Sequence, residues 1–79
     1  MIKEKKETLI ITFLCTTDAI QTEKFCARNH LPGRMIPVPR AISASCGLAW
    51  KAAPEEKELL LEAMKCEGLR WEGIYLLML

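Results

Sequence analysis

Residues 8–14, Thr-Leu-Ile-Ile-Thr-Phe-Leu, form an uncharged run rich in β-branched and aromatic side chains, the pattern of a buried strand. Thr16, Thr17 and Asp18 follow it, and all three are good helix N-caps. Asp18 and Gln21 have capping-box spacing. The first helix is predicted to run to about Asn29, with Ala19, Ile20, Cys26 and Ala27 facing inward and Pro32-Gly33 ending it. Arg34 to Pro37 is a short second strand. Pro37 and Pro39 forbid a regular ladder beyond it, so residues 38–46 form a loop and residues 47–52 the third strand. Pro54 suits the first turn of a second helix, and Glu55, Glu56 and Glu58 complement its positive end. Leu59, Leu60, Ala63 and Met64 make its apolar stripe, and Gly68 closes it. Residues 69–79 read as the last strand.

The order β-α-β-β-α-β predicts an α+β fold of the ferredoxin-like type. It is an antiparallel four-stranded sheet with two helices on one face. The first strand carries Leu9, Ile11 and Phe13 on one face and Ile10 and Leu14 on the other. The last carries Ile74, Leu76 and Met78 against Tyr75, Leu77 and Leu79. Strands that are apolar on both faces need cover on both. A homo-oligomer packed through the open sheet face is therefore expected.

Length and charge narrow the picture further. The 79 residues make one domain, with residues 1–7 expected as a flexible extension. A chain this short is close to the lower limit for a single core. Its net charge is +1, and the basic residues are scattered. Lys3, Lys5 and Lys6 alternate with Glu4 and Glu7. With no basic stripe and no interleaved aromatics, nucleic-acid binding is not expected. The apolar run before Cys15 is short, Asp18 follows it at once, and Leu14 replaces the small residue a lipoprotein signal needs. No stretch approaches membrane-spanning length, so a cytoplasmic protein is expected.

The four cysteines, Cys15, Cys26, Cys46 and Cys66, show no C-x-x-C spacing, and His30 is the one histidine. Neither a metal site nor a cofactor is expected from them. The topology brings Cys15, Cys46 and Cys66 to one edge of the sheet and sends Cys26 to the other. Cys46 stands out. A loop stiffened by Pro37 and Pro39 precedes it, and Gly47 follows. Ser43 and Ser45 offer hydroxyls and Arg40 a fixed positive charge. The start of the first helix, at Thr17 and Asp18, is expected to aim free N–H groups at the same place. These surroundings suit an anionic sulfur or selenium atom, while a packed, small apolar thiol is the alternative. For Cys15, Cys26 and Cys66 simple packing is the expectation. Trp50 and Trp71 read as core or interface anchors, and Glu23 as a helix-surface charge.

The segment from Arg34 to Ala49, with Ile36-Pro37-Val38-Pro39-Arg40, a serine-containing loop and Cys46-Gly47-Leu48-Ala49, resembles the signature of the selenium/sulfur carrier-like family. Thr17-Asp18-Ala19, Glu23-Lys24 and Gly73-Ile74-Tyr75 extend the resemblance along most of the chain. It implies that Cys46 accepts sulfur or selenium as a persulfide or selenopersulfide. The donor would be of the cysteine desulfurase or selenocysteine lyase type, and an acceptor enzyme would take the atom on. Pro37, Pro39 and Arg40 would shape and charge the loop, and Gly47 would admit the donor. Cys15, if it lies near, is a candidate resolving thiol.

Two other readings stand beside this one. In the first the chain is a binding or oligomerising module with Cys46 merely packed. In the second Cys46 is an enzyme nucleophile, which needs a general base that His30, at the far edge, is badly placed to supply. A carrier is favoured over a free-standing enzyme.

Overall fold

The computed structural model describes residues 6–42 and 46–78. The elements are β1 (Glu7–Thr12), α1 (Thr16–Arg28), β2 (Arg34–Pro37), β3 (Leu48–Ala52), a 3-10 turn (Pro54–Glu56), α2 (Lys57–Glu67) and β4 (Gly73–Met78). The sheet order is β2-β3-β1-β4, and every neighbouring pair is antiparallel. This is the ferredoxin-like arrangement that the element order implied. Of the expected extension over residues 1–7, residues 1–5 lie outside the described set, as does Leu79, and Glu7 already belongs to β1.

Pairing alternates side chains between two faces. Leu9 and Ile11 of β1 share a face with Trp50 and Ala52 of β3. On that face they meet Ala19, Phe25 and Cys26 of α1 and Leu60 and Met64 of α2 in the main core. Burying side chains of this size is worth roughly 1.5–3 kcal/mol each. Trp50 anchors this layer: its indole N–H donates to the Pro32 carbonyl at 3.1 Å. Gly33 lies directly beneath it, and a Cβ there would collide with the ring and with the Lys51 carbonyl. Trp71 packs half-buried against the same core.

Ile10, on the opposite face, is also fully buried. What covers it is the chain itself. Ile42 folds over Ile10 and Ala49, with Ile36, Val38 and Leu77 around them. The centre of the second face therefore needs no second subunit.

The element boundaries differ from the sequence reading in instructive ways. β1 stops at Thr12, and α1 begins at Thr16 with Cys15 as its extended N-cap residue. Thr17 and Asp18 lie inside the first turn rather than capping it. The buried residues of α1 are Ala19, Thr22, Phe25 and Cys26, whereas Ile20 is exposed and so is Ala27. Ala19, Thr22 and Cys26 follow the i, i+3, i+7 stripe, and Ile20 and Ala27 are each one position off it. In α2, Leu60 and Met64 are buried but Leu59 is exposed for the same reason. α1 ends at Arg28, before Pro32-Gly33. His30 takes a left-handed φ of 54°, and the Leu31 N–H reaches back to the Cys26 carbonyl at 2.9 Å. The helix thus ends by its own hydrogen bonding. Pro54 opens a 3-10 turn rather than α2 itself, and the Ala53 N–H donates to the Glu56 carboxylate at 2.9 Å. α2 closes with the Gly68 N–H on Lys65 and the Leu69 N–H on Met64, a Schellman pair of bonds. β4 begins only at Gly73, four residues after the predicted start at 69.

Candidate functional site

The β2–β3 connection holds the residues singled out in the sequence. Pro37 pairs with Leu48, and the Val38 N–H adds one more bond to the Gly47 carbonyl at 3.0 Å. Among the described residues the ladder goes no further than this pair. The chain instead turns over Pro39 to Ile42, with the Ile42 N–H on the Pro39 carbonyl at 3.0 Å. Arg40, inside that turn, is exposed. Ile42 pins the turn to one face of the sheet, while Cys46 packs against the main core on the other. Ser43 and Ser45, between them, lie outside the described residues.

Cys46 is half-buried. Its Sγ accepts the Leu48 N–H at 3.4 Å and its S–H donates to the Leu48 carbonyl at 3.4 Å. The two contacts have different chemistry. The S–H bond exists only while the thiol is protonated. The N–H bond is kept, and strengthened, by a sulfur that carries negative charge. Gly47, next to it, has φ 75°, a left-handed conformation that side chains disfavour. Among the described residues, a Cβ there would meet nothing within 4 Å. The glycine therefore serves the backbone turn, and no described residue fills the space beside it.

β1 and β3 bring a second thiol to this end of the sheet. Thr12 pairs with Ala49, and Cys15 and Cys46 each lie three residues beyond that pair. Cys15 is exposed at the N-cap of α1. Thr17 is exposed and Asp18 half-exposed in the first turn at the same end. Cys66 is exposed near the end of α2. Packing, expected for both Cys15 and Cys66, thus fails for them. Both occupy helix ends whose outer sides meet solvent. Cys26 is the packed thiol: it is 1% exposed, and burial pushes its pKa up to about 11. Glu23 is a surface charge on α1. His30 follows α1, at the end of the sheet away from Cys46, with no role in reach of the thiol.

One feature of the helix layer was not legible in the sequence. An open groove of about 710 Å³ runs between α1 and the end of α2, lined by Gln21, Phe25, Arg28, Glu67 and Leu69 among others. Arg28 and Glu67 approach to 3.9 Å across it, and both are largely solvated, so the pair contributes little. The Cys46 loop takes no part in this groove. Among the described residues, no three His, Cys, Asp or Glu side chains are placed to hold a metal ion, and no helix is long and apolar enough to cross a membrane.

A family model described as "Putative Se/S carrier protein-like" matches residues 8–76. Comparison with curated proteins and with solved structures returned no match.

Proposed function

We propose, because the chain belongs to the selenium/sulfur carrier-like family, that it carries sulfur or selenium on Cys46 and delivers the atom to an acceptor protein. The observation that carries this reading is the setting of Cys46. The thiol is half-buried, one backbone N–H points at its sulfur, and no described residue fills the space beside Gly47.

Loading is a thiol–persulfide exchange. The Cys46 thiolate attacks the outer sulfur of a donor persulfide. A new S–S bond forms, the donor's S–S bond breaks, and the donor cysteine leaves as a thiolate. No external oxidant is consumed. Selenium transfers in the same way as the outer atom of a selenopersulfide. Delivery repeats the exchange with an acceptor nucleophile, and Cys46 leaves as thiolate. The Leu48 N–H supports the anionic sulfur at both steps. Pro37 and Pro39 stiffen the loop, Arg40 supplies positive charge to it, and Ser43 and Ser45 add hydroxyls. Thr17 and Asp18 belong to the helix start at the same edge. A desulfurase-type or lyase-type donor fits the open side. Cys15 has a separate role: attack on the inner sulfur of the loaded Cys46 would release hydrosulfide and leave a Cys15–Cys46 disulfide, which a small thiol reductant then opens.

A second reading has its own observation. Cys46 packs against the core and both donates to and accepts from Leu48, as a structural thiol in a binding module would. Intact-protein mass spectrometry with peptide mapping separates the two. The protein is incubated with a cysteine desulfurase and cysteine, or with selenocysteine lyase and selenocysteine. One added chalcogen atom on Cys46, absent from Cys46→Ala, is the expected result. Loading spread over Cys15 and Cys66, or no loading at all, would favour the binding module.

A further inference from the structure

β4 is an edge strand. It pairs with β1 on one side, and its other side is open among the described residues. Alternate N–H and C=O groups along that side have no ladder partner. Its sequence, Gly73-Ile74-Tyr75-Leu76-Leu77-Met78, holds no charge and no proline, two of the devices that blunt an edge. It is also where apolar surface collects. Tyr75 is 38% exposed, Leu76 47% and Met78 58%, three of the six large apolar residues that the described fold leaves exposed. The opposite edge is built differently: β2 is four residues long, starts with exposed Arg34 and ends in Pro37.

We infer that the open edge of β4 pairs with β4 of a second copy of this chain, antiparallel about a two-fold axis through Leu76, to give one eight-stranded sheet. The faces require the axis to pass through a residue, and Leu76 is the middle of the apolar run 74–78. Ile74 and Leu76 lie on the helix side, opposite Ile11 and Leu9, and Met78 lies with them opposite Glu7. Tyr75 and Leu77 lie on the other side, opposite Ile10 and Thr8. An axis perpendicular to the sheet keeps like faces together, so paired positions must share a face. Centring on Leu76 sets Ile74 against the partner's Met78, Tyr75 against the partner's Leu77, and Leu76 against itself. Every pair is apolar, and the strand complements itself without any other sequence.

Charge does not oppose a second copy. On the segment that leads into β4, Trp71 and Leu61 of α2 line a shallow apolar hollow of about 350 Å³, rimmed by Lys57, Glu58, Glu62 and Lys65. Two basic and two acidic residues carry no net charge, so this flank can face its own copy without repulsion. The contact is one strand and its flank, small among specific interfaces, so the dimer is expected in the micromolar range. The inference does not depend on the chemistry of Cys46.

Sedimentation equilibrium of the full chain, up to about 0.5 mM, should give a monomer–dimer equilibrium. Leu76→Lys and Leu76→Glu each place like charges face to face on the axis. Each should weaken self-association by at least about 30-fold. Mixed one to one, the two variants should recover the dimer, which unfolding would not permit. Hydrogen exchange should show amides of β4 protected as concentration rises. Ile20→Lys, on the exposed side of α1, should leave the dimer unchanged. A monomer at every concentration would overturn the inference. So would a dimer that survives both Leu76 variants, or one that Ile20→Lys breaks.

Discussion

Thr22 shows how one atom can work against its own core. It is fully buried on the inner stripe of α1, and its hydroxyl has no hydrogen-bond partner among the described residues. Leaving a buried hydroxyl unsatisfied costs about 1–3 kcal/mol. Thr22→Val keeps the shape and removes the penalty, so it should raise stability by about 1 kcal/mol, read as a higher urea midpoint at unchanged slope. The sequence reading omitted Thr22 because polarity alone argues against burial. The i, i+3 relation to Ala19 was the available signal, and Phe25 was missed beside it. Cys46 was legible as the unusual thiol from its prolines and glycine. Its bonds to Leu48 were not, since they depend on how β3 begins.

At the scale of elements, the β2–β3 connection decides what the site can be. It is held at one end by the Val38–Gly47 bond and at the other by Ile42, which is 8% exposed. Ile42→Ala would remove that pin and open the cover over Ile10. The expected loss is about 2–3 kcal/mol in chemical denaturation, at the lower end for a core truncation because a loop can partly collapse. Labelling of the Cys46 thiol should accelerate in the same variant, as the loop that carries it loosens. If stability falls and Cys46 labelling stays unchanged, the pin and the thiol are independent. The helices show how far local patterning reaches. Their existence and approximate ends were readable, while their rotation was not. Ile20 and Leu59 are as apolar as their buried neighbours, and only the packed sheet selects which stripe turns inward.

Over the whole molecule, stability carries the signature of the buried thiol. Cys26 is held neutral up to about pH 11, against an ordinary value of 9.0. The unfolded chain gives up this proton first, so its contribution is fully present below pH 9 and is lost as pH rises toward 11. The loss approaches about 3 kcal/mol at the top of that window. Stability curves of the native chain and of Cys26→Ala, measured from neutral to high pH, should converge there. Parallel curves would mean that the thiol titrates alike in both states. Ile42 covers Ile10 at the centre of the open sheet face, while exposed apolar side chains collect along β4.

By itself the sequence determined the α+β class, the element order, the alternation of faces in β1 and β4, and the singular loop around Cys46. Each is set by residues near one another in the chain: β-branched runs, helix breakers, prolines, and a glycine after a cysteine. Only the tertiary structure decided which helix stripe is buried, that Cys15 and Cys66 are exposed while Cys26 is not, and that the chain covers the centre of its own second sheet face. Those outcomes are contacts between residues far apart in sequence, such as Ile42 on Ile10. Their free energy appears only when the sheet assembles, and no local pattern encodes it.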